Sequence, residues 1–296
     1  MNFTGEEEIM HELVVISGKG GTGKTSIVGA LAALAQDRVM CDADVDAADL
    51  HLILSPQVVE RHTFKAGHRA VIDPDRCTQC GQCRELCRFD AISESFVVDE
   101  LACEGCGVCH YFCPVEAIDF PENECGEWYR SDTRFGPMIH ARLGIAEENS
   151  GKLVSLVRKE ARSLAEAREL RWIITDGPPG IGCPVIASVG GASAVLVVAE
   201  PSVSGKHDLE RVAELATHFG VPVLVCVNKA DLYWQAAREI EQSCVENGWR
   251  FLGHLPFDPG VTKAQVEAKT IVESSDGPMK PAVISLWEQI QSVMEK

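Results

Sequence analysis

Two stretches of this chain carry residue types at spacings that do chemistry. Gly18, Lys19, Gly20, Gly21, Thr22, Gly23, Lys24 and Thr25, followed by Ser26, lie between an apolar run, Leu13-Val14-Val15-Ile16, and an Ala/Leu-rich segment. Glycines let backbone N–H groups close around phosphate oxygens, and the start of a following helix adds positive potential. Lys24 then reaches terminal phosphates and the Thr25 hydroxyl can ligate magnesium. The second stretch holds Cys77, Cys80, Cys83 and Cys87, which recur 26 positions later as Cys103, Cys106, Cys109 and Cys113. Asp73 recurs as Asp99, Gly81 as Gly107, and Ala91-Ile92 as Ala117-Ile118, so the repeat includes the frame as well as the thiols.

Each cysteine run has the spacing Cys-x2-Cys-x2-Cys-x3-Cys and resembles the two-cluster bacterial ferredoxins. That resemblance implies two [4Fe-4S] clusters, one held by Cys77, Cys80, Cys83 and Cys113, the other by Cys103, Cys106, Cys109 and Cys87. Zinc also binds paired Cys-x2-Cys, but it seldom needs four cysteines per run at this spacing. Arg88 departs from the pattern, standing where a proline usually follows the fourth cysteine; a donor and a positive charge there would raise the potential of the cluster that Cys87 serves.

A phosphate-binding loop needs a strand before it and a helix after it. Leu13 to Ile16 reads as the strand and Ser26 to Gln36 as the helix. A second strand, Arg38 to Cys41, runs into carboxylates. Apolar runs at 172–174, 194–198 and 221–227 alternate with helical patterns at 152–168 and 205–219, as a parallel sheet buried on both faces requires. The fold class expected is α/β, a doubly wound, mostly parallel sheet formed by residues 1–62 and 122–296. An inserted α+β ferredoxin-like domain, 63–121, interrupts it where cysteines replace hydrophobic periodicity.

With Lys19 as a second lysine in the loop, the sequence resembles the deviant P-loop ATPases of the MinD, Mrp and nitrogenase iron-protein class, and in its fullest form the MinD-superfamily ATPases with an inserted ferredoxin domain. The resemblance covers nearly the whole chain. It implies that Lys19 reaches across a nucleotide-sandwich homodimer to neutralise charge on the transferring phosphoryl group, as an arginine finger does; a solvated loop lysine is the plain alternative. It also implies Asp42 near the magnesium shell, Asp44 positioning the attacking water and Asp176 as the Walker B aspartate, with Gly177-Pro178-Pro179-Gly180 as a switch. Carboxylates at strand C-termini lie on the ligand side of such sheets, whereas Asp46 and Asp49 read as turn and helix-start residues.

Asn228 and Pro256, within Leu255-Pro256-Phe257, match the family's base-reading segments and favour ATP, although Asn228-Lys229-Ala230-Asp231 also has the spacing of the guanine-reading pattern. Cys183 follows Asp176 by seven residues, the offset of an intersubunit cluster ligand in the nitrogenase iron protein. A small packing residue before Pro184 is the other reading, and Cys125 is open as a further ligand. Glu148-Asn149-Ser150-Gly151-Lys152-Leu153 belongs to the subgroup's pattern, with Asn149 and Ser150 capping a helix.

Composition narrows the partners. Against 27 basic residues stand 44 acidic ones, a formal charge of −17 that repels phosphate backbones and anionic lipid, so nucleic acid is not expected. No basic-then-apolar leader opens the chain and no apolar run is long enough to span a bilayer, which places the protein in the cytosol. There, 13 cysteines point to metal more than to disulfides; five, Cys41, Cys125, Cys183, Cys226 and Cys244, lie outside the runs. A C-terminal helix over 281–296 has Ile284, Trp287, Ile290 and Met294 at helical spacing but no polybasic patch, so stable membrane association is not expected. The expected protein is a Mg-dependent ATPase in which ATP closes a homodimer and two clusters serve a redox or metal-cofactor partner. The alternatives are an ATP-gated cluster carrier of Mrp type and a spatial regulator of MinD or ParA type.

Overall fold

The computed structural model describes residues 10–144, 149–274 and 276–296. The leader expectation for residues 1–9 and the reading of Glu148 lie outside the described residues. The chain divides into two compact units, one of Met1–His62, Trp128–Arg142 and Ser150–Lys296, the other of Thr63–Glu127 and Leu143–Asn149.

The strands are β1 (His11–Ser17), β2 (Arg38–Asp42), β3 (Gln57–His68), β4 (Val71–Ile72), β5 (Ile118–Asp119), β6 (Glu122–Thr133), β7 (Gly136–Leu143), β8 (Trp172–Pro179), β9 (Ala194–Ala199), β10 (Val223–Val227) and β11 (Arg250–His254). The helices are α1 (Lys24–Leu34), α2 (Leu50–Leu54), α3 (Gln82–Leu86), α4 (Val108–Tyr111), α5 (Ser150–Ala167), α6 (Cys183–Val189), α7 (Val203–His218), α8 (Trp234–Asn247), α9 (Pro259–Val266), α10 (Ile271–Ser274) and α11 (Met279–Met294).

In the larger unit β1 is buried along its whole length, and such a strand must be covered on both faces. Leu13 and Val15 join Ile27, Leu31, Val283 and Leu286 in one core, while Val14 and Ile16 join Val185, Leu209, Val212 and Ile240 in another. Helices α1 and α11 thus cover one face of the sheet and α6, α7 and α8 the other. The sheet runs β11-β10-β9-β1-β8-β2-β7-β6-β3. Every pairing from β11 across to β7 is parallel. The sheet is therefore α/β and mostly parallel.

Parallel pairing brings the carboxyl ends of β1, β2, β8, β9 and β10 to one edge, with Asp176 in register with both Val15 and Asp42. That edge is where ligands bind in open α/β sheets. The strand begins two residues earlier than its apolar run, because buried Glu12 is held by Arg158 at 2.7 Å and by Arg162. A carboxylate survives in that setting only when paired. Helix α11 buries Val283, Leu286, Trp287 and Ile290, with the Trp287 ring edge-on to Trp172 at 4.8 Å. Its apolar face is spent on packing, and no described helix is long and apolar enough to cross a membrane.

The smaller unit contains the antiparallel pair β4–β5, α3, α4 and a bridge between Ile92 and Val98. Its backbone repeats with the sequence. The N–H groups of Cys77 and Cys103 donate to the carbonyls of Asp73 and Asp99, and those of Cys87 and Cys113 to Arg84 and His110. Gly81 and Gly107 both cap short helices in the left-handed region. Asp73 N–H donates to Ala117 O, and in the second half Asp99 N–H donates to Ala91 O. Each half is thereby anchored to the tail of the other.

Candidate functional site

The phosphate-loop residues form the turn between β1 and α1, and a cavity of about 400 Å³ opens beside them. Its wall includes Gly20, Gly21, Thr22, Gly23, Lys24, Thr25, Ser26 and Asp44 on one side and Asn228, Lys229, Pro256 and Phe257 on the other. The volume is within the range of small-molecule sites. Gly18 and Lys19 are not in that wall. Gly18 packs so closely on the Asp208 backbone that a side chain would collide with it.

Gly23 caps α1 at φ +90°. A Cβ there would meet the Asn228 amide, which donates to Thr22 O at 2.7 Å. Lys229 Nζ donates to Gly21 O at 2.9 Å, so two consecutive residues after β10 clasp the loop. Gly23→Ala adds both backbone strain and that collision, and is expected to weaken nucleotide binding by about tenfold or more in a fluorescent-ADP titration. Retained affinity would mean that the loop does not hold phosphate in this form.

Lys24 is buried among acids. Its Nζ lies 2.5 Å from Asp176 Oδ1 and 3.4 Å from Asp44 Oδ2. Asp42 is fully buried behind Asp44, accepting N–H groups from Asp44 at 3.2 Å and Leu50 at 3.3 Å. Burial alone would lower the Lys24 pKa, but the charges of Asp176 and Asp44 outweigh it and the pKa is raised. Burial, with the Asp176 charge added, pushes the Asp42 carboxyl well above the usual range, and burial raises Asp44 despite the attraction of Lys24. Three acidic groups thus crowd one ammonium, and burial resists the ionisation of Asp42 and Asp44. Among the described residues Asp176 Oδ2 is buried with no hydrogen-bond partner, and a hydrated divalent cation beside Thr25 would satisfy it.

Lys19 is bound within its own chain. Its Nζ pairs with the Glu200 carboxylate and donates to Ser204 Oγ at 3.1 Å. Glu200 and Ser204 do not stand out in the sequence, and Lys229 stands out only as part of the base-reading segment. The available signal was position, since Glu200 directly follows β9 on the ligand edge.

The eight clustered cysteines separate into two small chambers. One is lined by Cys77, Cys80, Cys83 and Cys113, the other by Cys87, Cys103, Cys106 and Cys109. The fourth cysteine of each run faces the chamber of the other run. Among the described residues no three or more such side chains converge as on a single metal ion. A cubane asks for a different arrangement, four thiolates each bonded to its own iron around a shared hollow. Apolar side chains, Ile72, Phe96 and Ile118 in the first and Ala91, Ile92 and Phe120 in the second, line both, while Cys80 and Cys106 are exposed. Arg88 is exposed.

Cys183 is exposed at the first residue of α6. Cys125 is not available as a further surface ligand: it is buried in the smaller unit, with its thiol donating to Ala66 O at 3.3 Å. Cys41, Cys226 and Cys244 are also buried, and burial pushes all three thiols up, the last two to about 12. Asn149 adopts φ +76° immediately before α5, and Gly151 packs against Cys183.

The nucleotide binding domain of the CobQ/CobB/MinD/ParA family matches residues 13–271. The chain belongs to this family. An uncharacterized protein of Methanocaldococcus jannaschii is 31% identical over 287 residues, covering 96% of this chain and 97% of that protein. A second uncharacterized protein of the same organism is 20% identical, covering 90% and 94%. The cell division ATPase MinD of Pyrococcus furiosus superposes with a TM-score of 0.59 at 18% identity, over 96% of this chain and 100% of that one. MinD of Pyrococcus horikoshii, solved with Mg-ADP, also scores 0.59 at 16% identity, over 96% and 97%. At these identities the solved structures speak to fold, and the fold of this family member is the MinD/ParA-type nucleotide-binding ATPase fold.

Proposed function

We propose that this CobQ/CobB/MinD/ParA-family protein is a Mg-dependent ATPase that couples a nucleotide-driven change in a homodimer to electron transfer, or to metal-cofactor assembly, with a partner protein. The observation that carries this reading is the combination, in one chain, of a cavity bordered by the phosphate loop from Gly20 to Ser26 and two chambers that each gather four thiols from both cysteine runs. The structure of Pyrococcus horikoshii MinD with Mg-ADP supports ATP chemistry by analogy.

In the nucleotide site the loop amides and Lys24 hold the phosphates, and Thr25 ligates magnesium with Asp42 close behind. For Lys24 to reach phosphate its contact with Asp176 must open, which frees that carboxylate for the hydrated ion. Asp44, on the cavity wall, orients the attacking water. Lys19 of the second protomer supplies the trans charge. Asn228 fixes the loop, and Pro256 borders the base.

Cys77, Cys80, Cys83 and Cys113 would hold one [4Fe-4S] cluster and Cys103, Cys106, Cys109 and Cys87 the other. Bound clusters supply one-electron chemistry at a potential set by burial and nearby charge. The apolar lining, and the four backbone N–H bonds that fix Cys77, Cys87, Cys103 and Cys113, suit resident redox groups better than labile cargo.

Anaerobically purified protein is expected to carry about eight irons per chain, and Cys113→Ser to lose about half of them while Cys77, Cys80 and Cys83 remain. Retention of the full iron content in that variant would reject the crossed ligand sets. The deciding experiment is ATP turnover with the clusters poised oxidised or reduced. Turnover that changes with redox state supports coupling; turnover that ignores it while iron is full rejects coupling and favours a positional or structural role.

A further inference from the structure

The segment Asn228-Lys229-Ala230-Asp231 has the spacing of a guanine reader, yet its side chains are committed elsewhere. Asn228 and Lys229 clasp the phosphate loop. Asp231 is absent from the cavity wall, and its Oδ1 accepts the Phe257 N–H at 2.6 Å. The geometry points to Asp231 as the residue that selects adenine over guanine, acting by occupying a backbone donor instead of by touching the base. The inference deepens the ATP reading given above and rests on it.

The argument turns on which groups at 255–258 face a purine. Guanine presents an acceptor, O6, where adenine presents a donor, the N6 amino group. To bind guanine the segment must offer an N–H; to bind adenine it must offer a carbonyl. Pro256 lines the cavity and has no N–H to give, only a carbonyl. The next N–H belongs to Phe257, and Asp231 already holds it.

The segment is pinned on both sides. Leu255 N–H donates to Val227 O and Leu255 O accepts from Ala230 N–H. Asp258 accepts from Gly260 N–H at 2.7 Å and from Met279 N–H at 3.3 Å. With its ends fixed, the segment cannot readily rotate to present a different donor. A guanine at this place finds no N–H for O6, and a site that leaves a ligand's polar group unpaired discriminates against that ligand.

Asp231 is exposed, so its substitution leaves the core intact. Asparagine keeps the acceptor oxygen and the bond to Phe257; alanine removes both and frees the N–H for O6. Calorimetric titration of Mg-ADP and Mg-GDP into wild type, Asp231→Asn and Asp231→Ala separates the cases. Wild type and Asp231→Asn are expected to prefer ADP by about 100-fold or more, and Asp231→Ala to narrow that ratio by about tenfold through tighter GDP binding. If wild type prefers ADP and the alanine variant keeps the same ratio, Asp231 is not the selector, while the ATP reading stands. If wild type prefers GDP and both variants lose it, Asp231 reads guanine directly, and the ATP reading falls together with this inference.

Discussion

Replacing Lys24 with methionine is expected to destabilise the nucleotide-free protein by about 3–5 kcal/mol near pH 8, in addition to removing nucleotide turnover. Lys24 is only 6% exposed, and Asp42, Asp44 and Asp176 around it are 0%, 8% and 1% exposed. The lysine is the one cation in hydrogen-bond or ion-pair contact with Asp44 and Asp176 among the described residues. Methionine fills the same space and leaves the carboxylates uncompensated. They then have two recourses, unfolding or protonation, and this gives the effect its pH dependence.

Asp42 and Asp44 already titrate above the ordinary carboxylate range with Lys24 in place, mainly through burial. Without it they move further up. An acid whose folded pKa exceeds its unfolded value favours the fold below the unfolded pKa and loses that contribution as pH rises through the folded one. The deficit of Lys24→Met relative to wild type should therefore be small at acid pH and grow toward alkaline pH. Lys24 itself, with a raised pKa, favours the fold below its unfolded pKa and loses that contribution only as pH rises through the raised value, so it adds no loss of its own to wild type between pH 5 and 8, where only the smaller loss from Asp42 and Asp44 remains. Urea denaturation at several pH values measures the difference, and millimolar Mg2+ should stabilise the variant more than wild type. A deficit below about 1 kcal/mol, or one that ignores pH, would mean that the carboxylates do not depend on Lys24.

What the sequence reveals about this site follows how local the interactions are. The loop, α1 and the eight cysteines are legible because each depends on neighbours a few positions away. The two chambers could also be anticipated, because a 26-residue repeat carries its frame, Asp73 with Asp99 and Gly81 with Gly107, as well as its thiols. The pairing of Glu12 with Arg158 spans 146 positions, and that of Lys19 with Ser204 spans 185. No periodicity reports contacts of that kind. Strands β3 and β6 escape for another reason. They carry Glu60, Arg61, Glu124, Arg130 and Asp132 among sparse apolar residues, because much of their surface faces water and two-sided burial never imposes an apolar run. In the guanine-like motif, spacing does not reveal that Asn228 and Lys229, which line the cavity, also bond to the phosphate loop, or that Asp231 bonds to Phe257.

Lys19→Ala is expected to bind Mg-ATP within about threefold of wild type and to lose about 10³-fold in turnover. Nucleotide affinity should be spared because Lys19 lies outside the cavity wall and bonds to Glu200 and Ser204 of its own chain. Turnover should fall because a lysine acting in trans supplies charge to the transferring phosphoryl group only in the closed dimer. The same contacts set the ease of its release. The Lys19–Glu200 pair is partly exposed, at 36% and 23%, and a pair of that kind is worth at most about 1 kcal/mol. Glu200→Gln keeps the shape and removes the charge, so it should lower the protein concentration for half-maximal turnover by up to about fivefold, with little change in maximal rate. Specific activity measured against protein concentration reads both effects. Wild-type turnover in Lys19→Ala would identify Lys19 as a solvated loop lysine. Loss of turnover in Lys19→Ala with no shift in Glu200→Gln would keep the trans role and show that the pairing with Glu200 does not oppose dimerisation.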